Sequence, residues 1–531
     1  MRRLLGAVAL VATVPLLGAC VPWSPPGPGQ ETASPQARGT RPVPEDCAGD
    51  PAYPKRQLRG AWIATVRNID WPSRPGLSEQ KQRTELRKML DRASGMGLNA
   101  VFLHVRPTAD AVYESDMEPW ARYLTGEQGG DPGYDPLKFA VREAHRRGIE
   151  LHAWFNPYRV GWQDPDLENL ADDHPAKRNP GWLIEYGDEG YLDPGNPDVR
   201  EWVGDVVLDV VRRYDIDGVH FDDYFYPYPA EGEEFDDDRS FRRHGDGFDS
   251  RAAWRRHNVD TLVAEIHERI QDTKPWVRFG ISPFGIWRND DSHPAGSDTE
   301  GLESYSAQFA DTRAWVRQGT VDYVVPQLYW PRGYGIADYA KLVPWWSELV
   351  SGSGVDLYIG QAAYRVGEEG FRGADALSRQ LDLNAEHSEV GGDVYFSISD
   401  LTGRAEEAMQ TVGEQHYRRP ALPPTADGAN RPPEPVTDLT AERGSDDTVR
   451  LRWQGVPDAR FYAVYRVPGE GRDACDLADA RHLVAVTGAG DDRPAFTDTD
   501  PGEGPVRYHV TALDDYRAES APGPAARLTS G

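Results

Sequence analysis

Only three cysteines occur in 531 residues, Cys20, Cys47 and Cys475, which excludes a scaffold built on disulfides. No group of His and Cys has the spacing of a zinc site, and no glycine-rich loop follows a strand as a phosphate cradle requires. Nothing in the chain requires a metal or a cofactor. Positive charge is scarce: 58 Lys and Arg stand against 86 Asp and Glu, a formal net charge of −28. Such an excess argues against nucleic acid as a partner, because phosphate contacts need a basic surface. It suits a secreted protein that handles neutral or cationic material. The one extended apolar run, Leu4 to Leu17, is too short to be a comfortable membrane span.

That run follows Arg2 and Arg3 and reads, over residues 1–19, as a secretion signal. It ends Leu17-Gly18-Ala19-Cys20, which resembles a bacterial lipobox with Cys20 as the lipidated residue; the alternative is a plain signal peptide with a chance cysteine. The lipobox reading places the protein outside the cytoplasm, held to the outer face of the plasma membrane by a lipid anchor. Residues 20–55 are rich in Pro, Gly, Ser and Thr at their start and are expected to form a flexible tether. An oxidising exterior permits a disulfide between Cys47 and Cys475, but their spacing carries no pairing signal and they are expected to stay unpaired.

From Arg59 onward, short runs of Val, Ile, Phe and Tyr alternate with helical patterns, the signal of repeated βα units. Strands are expected at 60–66, 100–105, 150–155, 218–223, 277–283, 322–329, 357–363 and 393–399. Helices are expected between them, among others at 78–95, 136–148, 198–214 and 251–273, with Gly95 and Gly148 as helix stops. Eight such units over residues 56–420 predict an α/β fold, a (β/α)8 TIM barrel with enlarged loops, since a minimal barrel takes about 250 residues. A doubly wound open sheet is the alternative. A proline-rich linker is expected at 421–434, followed by a small all-β domain over 435–531 with short alternating strands at 448–453, 461–466, 482–486 and 507–513.

In a barrel the reactive groups sit where the strands end. The fourth strand ends in the pair Asp222 and Asp223, followed at once by aromatics and proline in Tyr224-Phe225-Tyr226-Pro227. A glycosidic bond is cleaved by carboxyl groups that donate a proton and stabilise an oxocarbenium-like centre, while aromatic faces hold sugar rings. Both Asp are therefore the expected catalytic groups, one as acid and one as charge stabiliser; the plainer alternative leaves one of them as a helix cap. Alternation along the strand turns Val219 and Phe221 to the helices, His220 and Asp222 inward, and Asp223 to the rim. The other strand ends supply expected substrate contacts: Trp62, His104, Arg106, Asn156, Tyr158, Tyr224, Ser282, Gln327, Tyr329 and Trp330. His104 and Arg106 are expected to end together inside the barrel mouth, and Gln327 to bridge sugar hydroxyls beside the stacking rings of Tyr329 and Trp330. Core packing is the competing reading for each of these. Asp110, Glu114 and Asp400 are secondary acid or base candidates.

Seven motifs in order carry a resemblance: Arg59-Gly60-Ala61-Trp62-Ile63-Ala64-Thr65, Asn68-Ile69-Asp70-Trp71-Pro72, His104-Val105-Arg106-Pro107, Ala153-Trp154-Phe155-Asn156-Pro157-Tyr158, Gly218-Val219-His220-Phe221-Asp222-Asp223-Tyr224, Ser282-Pro283-Phe284-Gly285-Ile286-Trp287 and Pro326-Gln327-Leu328-Tyr329-Trp330. From about Arg59 to Tyr417 the chain resembles the glycosyl-hydrolase-like 10 family of bacterial secreted and lipoprotein enzymes. The resemblance implies a (β/α)8 barrel, glycoside hydrolase activity and, from the best-understood members, a polysaccharide substrate in peptidoglycan glycan stripped of its stem peptides. Strand seven offers Gln361 where a retaining plan would place a Glu nucleophile. The Asp pair is closer in form to sites where an N-acetyl group of the substrate is the nucleophile; an inverting route with Asp110 or Asp400 as base stays open. A non-catalytic wall-binding module and a hydrolase of an exopolysaccharide are the alternative functions. The C-terminal part resembles a fibronectin type III domain, with Trp453 as core tryptophan, Tyr462-Ala463-Val464-Tyr465 as a central strand and Tyr508-His509-Val510-Thr511-Ala512 as a late strand.

Overall fold

The computed structural model describes residues 47, 50, 52–162, 169–428, 431–469, 473–490 and 493–528. The secretion signal, Cys20 and most of the expected tether lie outside the described residues. Eight parallel strands close into a barrel: β1 (Leu58–Ile63), β2 (Ala100–Arg106), β3 (Glu150–Phe155), β4 (Gly218–Phe221), β5 (Arg278–Ile281), β6 (Tyr323–Val324), β7 (Asp356–Gln361) and β8 (Val390–Tyr395). Each pairs with its neighbours in sequence, and β8 pairs with β1. Every expected strand is present.

Each strand is followed by a helix that packs outside it: α1 (Glu79–Gly95), α2 (Pro136–His145), α3 (Pro197–Arg213), α4 (Arg251–Thr273), α5 (Thr312–Gln318), α6 (Tyr339–Val350), α7 (Ser378–Asn384) and α8 (Glu406–Gln415). Local chemistry sets their starts. Asn196 accepts the Asp198 N–H at 3.1 Å, with Pro197 preset for the first helical position. Val199, Val203, Val206, Val207 and Val210 recur at helical spacing and bury one face of α3. Gly95 is the last residue of α1 rather than its stop; Gly97, with φ of +77°, makes the left-handed exit.

Strand alternation divides the side chains into two cores. Ala61, Ile63, Val101, Leu103, Leu151, Ala153, Val219, Phe221, Phe279 and Ile281 face the helices. Leu58, Trp62, Phe102, Trp154, Tyr323, Tyr358 and Val394 fill the barrel. Glycine makes room for the large interior rings: a Cβ on Gly218 would lie 2.2 Å from the His152 ring, and one on Gly280 2.1 Å from Tyr323.

The C-terminal part is a β-sandwich of a three-stranded sheet (Thr440–Arg443, Val449–Arg452, Ala495–Asp498) and a four-stranded sheet (Leu483–Gly488, Phe461–Pro468, Val506–Leu513, Ala526–Leu528). It is seated on the end of the barrel where the strands begin. Arg517 is fully buried there, with Nε bonded to Glu150 and Nη2 donating to Asp217 Oδ1 at 2.8 Å. The stretch expected as a linker is bound at its start: Leu422 is buried, its N–H donates to the Lys55 carbonyl, and Arg56 donates to the Pro423 carbonyl at 2.7 Å. The end of the expected tether is docked as well, with Lys55 paired to Glu519 at 2.7 Å. Cys47 and Cys475, expected to stay apart, form a disulfide across 428 residues of sequence. Chain spacing carried no sign of this because only the docking of the sandwich brings the two together.

Candidate active site

Where the strands end, a cavity of about 260 Å³ opens, lined among others by Trp62, Trp154, Arg159, Asp222, Asp223, Tyr224, Ser282, Gln327, Tyr329, Tyr364 and Phe396. A larger open groove of about 830 Å³ runs along the seam between barrel and sandwich, at the opposite pole. Of its five carboxylates, Asp215 and Asp515 are paired to Arg460, and Asp135 caps α2 and accepts from Tyr214.

Asp222 and Asp223 are buried at the end of β4. Asp222 accepts the Trp154 indole N–H at 3.2 Å and lies 3.1 Å, through both oxygens, from the Asn156 amide nitrogen. The orientation of that amide is settled by its other end, because Asn156 Oδ1 accepts the Arg159 N–H at 2.8 Å. Burial is the main cause that pushes the Asp222 carboxyl up, to about 6; Arg159 and Asn156 oppose it and Asp223 adds to it. Asp223 is also raised by burial, against the Tyr228 hydroxyl and the Gln327 amide that both donate to it. The Arg159 guanidinium lies over the Tyr224 ring, 4.2 Å from its centroid.

Beneath this pair the barrel is filled with aromatic side chains. His220 Nε2 accepts from Trp62 Nε1 at 3.2 Å, and Ser282 Oγ lies 3.0 Å from the same nitrogen. His220 Nδ1 then carries the proton and faces the Tyr323 hydroxyl at 3.3 Å. Burial holds His220 and His104 well below the usual imidazole range, so both are neutral.

Two buried carboxyl groups in an aromatic-walled cavity at the strand ends are the outline of a sugar-cleaving site, and comparison with known proteins agrees. Residues 57–375 match the glycosyl hydrolase-like 10 family. The chain belongs to that family. It is 40% identical over 482 residues to glycosyl hydrolase YngK of Bacillus subtilis, covering 88% of this chain and 93% of the relative. It is 39% identical over 410 residues to glycosyl hydrolase DigH of Escherichia coli K12, covering 73% and 91%. Among solved structures it is similar to the glycoside hydrolase domain of PgaB from Bordetella bronchiseptica, with 13% identity, a TM-score of 0.45, and 67% and 98% coverage. The protein is a glycoside hydrolase.

Within this glycosyl hydrolase-like 10 barrel, Trp62, Tyr224, Ser282, Gln327 and Tyr329 line the cavity with the two Asp, and Asn156 touches Asp222 from behind. Gln327 differs in its duty: its Nε2 donates to Asp223 and to the Ser282 carbonyl, each at 2.9 Å, so its amide hydrogens serve the protein and not a sugar. His104 lies under Trp154, stacked at 3.8 Å between centroids, and does not reach the cavity. Arg106 is turned away altogether. A register shift between His104 and Arg106 breaks the alternation, and the guanidinium forms a pair with Glu118. Tyr158 is buried in the helix-facing core, and Trp330 packs edge-on against Phe284, 5.4 Å away, outside the cavity lining. Asp110 accepts from Gln128 and the Thr108 N–H, Asp400 caps a short helix at Ser397, and Glu114 is exposed along the seam.

Trp154, Arg159, Tyr228, Tyr364 and Phe396 belong to the site and were not singled out as binding residues. Trp154 has the same strand parity as Asn156, and Arg159 directly follows the motif around Asn156, so both carried a signal. Tyr364 and Phe396 come from loops after β7 and β8, where only the closure of the barrel brings them beside Tyr329, at 5.7 and 6.3 Å between centroids.

Proposed function

We propose that this glycoside hydrolase cleaves an amino-sugar polymer of the cell envelope, peptidoglycan glycan strands, from the outer face of the plasma membrane, where a lipid on Cys20 anchors it. The observation that carries the chemical part is the make-up of the cavity: Asp222 and Asp223 are its only carboxylates among the described residues. β7 contributes none, since Gln361 points into the helix layer and donates to Asp393 at 2.8 Å. With no separate enzymic nucleophile, the acetamido group of the sugar fills that role. Its carbonyl oxygen attacks C1 as the glycosidic bond breaks and one Asp protonates the leaving oxygen. The other Asp steadies the positive charge on the cyclic intermediate through its N–H, and water then opens the ring with net retention. Tyr224, Tyr329, Tyr364 and Phe396 offer the faces for sugar rings. The sequence resemblance supports the peptidoglycan part, and the lipobox supports the anchor.

The test uses the purified protein on denuded glycan strands, with chitin-like chains and neutral glucans beside them. Short saccharides should appear from the first, and Asp222→Asn and Asp223→Asn should each lower turnover by about 100-fold or more. An aryl glycoside with a good leaving group assigns the roles, because it rescues only the variant that lacks the proton donor. Full activity of both variants would overturn the site, and cleavage of neutral glucan alone would overturn the substrate. Labelled palmitate should enter the protein in cells and be lost in Cys20→Ala.

A further inference from the structure

Arg106 is fully buried, has no contact with the cavity, and is still tied to the reacting pair through one intermediate residue. Its Nε and Nη2 donate to the two oxygens of Glu118 at 2.7 and 2.6 Å, and Trp202 donates to the same carboxylate at 3.0 Å. The remaining arm, Nη1, donates to the carbonyls of Asn156 at 2.7 Å and Pro157 at 3.0 Å. Asn156 is therefore gripped at its backbone by Arg106 and at its side-chain oxygen by the N–H groups of Tyr158 and Arg159. What is left of the amide, Nδ2, faces both oxygens of Asp222.

The geometry points to Arg106 as a positioning residue for the hydrolysis: its planar fork fixes the Asn156 backbone, and the Asn156 amide in turn fixes Asp222. This rests on the reading of Asp222 as a reacting group. A lysine could not do it, since one ammonium lacks the bidentate fork and the third directed donor. The bulge in β2 takes Arg106 out of the mouth, and its guanidinium there reaches two consecutive carbonyls of the loop after β3. The charged and titratable groups that face Asp222 are Arg159, Asp223 and Tyr224, and Trp154 adds the second N–H. Neither Trp154 nor Arg159 is held by Arg106 through its side chain, so loss of the fork acts on Asp222 through Asn156.

The full-length chain carrying Arg106→Lys, Asn156→Ala, or both, is compared with wild type by carboxyl ¹³C titration of Asp222, assigned with Asp222→Asn, and by kinetics on denuded glycan strands. Asp222 should titrate about half a unit or more higher in Arg106→Lys, because a donor to its ionised form is loosened. kcat should fall about 10- to 100-fold with KM within about twofold. The double variant should be no slower than Asn156→Ala within about threefold, as expected of residues acting in series. An unmoved Asp222 titration, or effects that multiply in the double variant, overturns the proposal. Should Arg106→Lys fail to fold, Glu118→Gln loosens the other side of the fork and is read by the same criteria. Full turnover in Asp222→Asn would instead remove the catalytic reading of Asp222, and the titration would still decide whether Arg106 acts on that carboxyl.

Discussion

Asp222 illustrates at the scale of one residue how a site costs its protein stability. Its carboxyl is raised to about 6 in the folded chain by burial, against about 3.9 in the unfolded chain. A raised carboxyl opposes folding only when it must ionise, so the cost is absent below about pH 4 and complete above the folded value. At 1.36 kcal/mol per unit the shift corresponds to about 1–3 kcal/mol at neutral pH. Asp222→Asn is thus expected to be inactive and more stable than wild type at pH 8, with the advantage shrinking to nothing toward pH 4. Thermal melts at pH 4, 6 and 8 check this, and a difference independent of pH would contradict it. In the enzyme itself kcat/KM should fall as pH rises past the point where the Asp pair loses its last proton.

At the scale of the element, alternation along a strand was enough to place most side chains. Val219 and Phe221 are in the outer core while His220 is inside, as counting along β4 requires. The same counting failed on β2 because the bulge inserts one residue, and a shift of one residue reverses every face beyond it. On β7, Leu357 and Ile359 face the helices, and Gln361 continues their parity. It is held there by the Tyr339 hydroxyl and by Asp393, each at 2.8 Å. Gln361→Glu therefore would not create a nucleophile. It would set a second carboxylate against Asp393, whose own carboxyl burial already pushes up to about 6. The expected result is a loss of about 3 kcal/mol at pH 8, where both must ionise, with partial recovery at pH 5. Denaturant unfolding at the two pH values measures it, and activity of the folded fraction should be unchanged.

For the whole molecule, the sandwich supplies part of the barrel's floor. Asp217 and Glu150 lie fully buried at the starts of β4 and β3; besides His145 and His152 of the barrel, they draw partners from across the boundary, Arg517 to both and Arg460 to Asp217 at 3.4 Å. Burial would raise the Asp217 carboxyl, but His145, Arg460 and Arg517 outweigh it and hold it well below the usual carboxylate range. A depressed carboxyl adds stability above its unfolded value near 3.9, and the gain is lost as pH falls below that. Arg517→Met would take the arginine from buried Glu150 and one of three cations from Asp217, which keeps His145 and Arg460, at about 3 kcal/mol. Its deficit relative to wild type should be largest near neutrality and shrink below pH 4. A barrel cut off after residue 420 should for the same reason fail to fold stably. A soluble, active fragment would show the sandwich to be an independent module.

The sequence by itself determined the eight-unit barrel, its strand positions and the place of the Asp pair, because hydrophobic period and strand order are local and repeat. It also carried the family. The tertiary structure alone decided which strand-end groups meet. Arg106 left the mouth at a bulge, Gln327 turned its amide to Asp223, and Tyr364 and Phe396 entered from distant loops. It alone paired Cys47 with Cys475 and made the sandwich a floor. These are contacts between residues tens to hundreds of positions apart, and no local pattern encodes them; they follow only once the barrel has closed and buried charges have had to find partners.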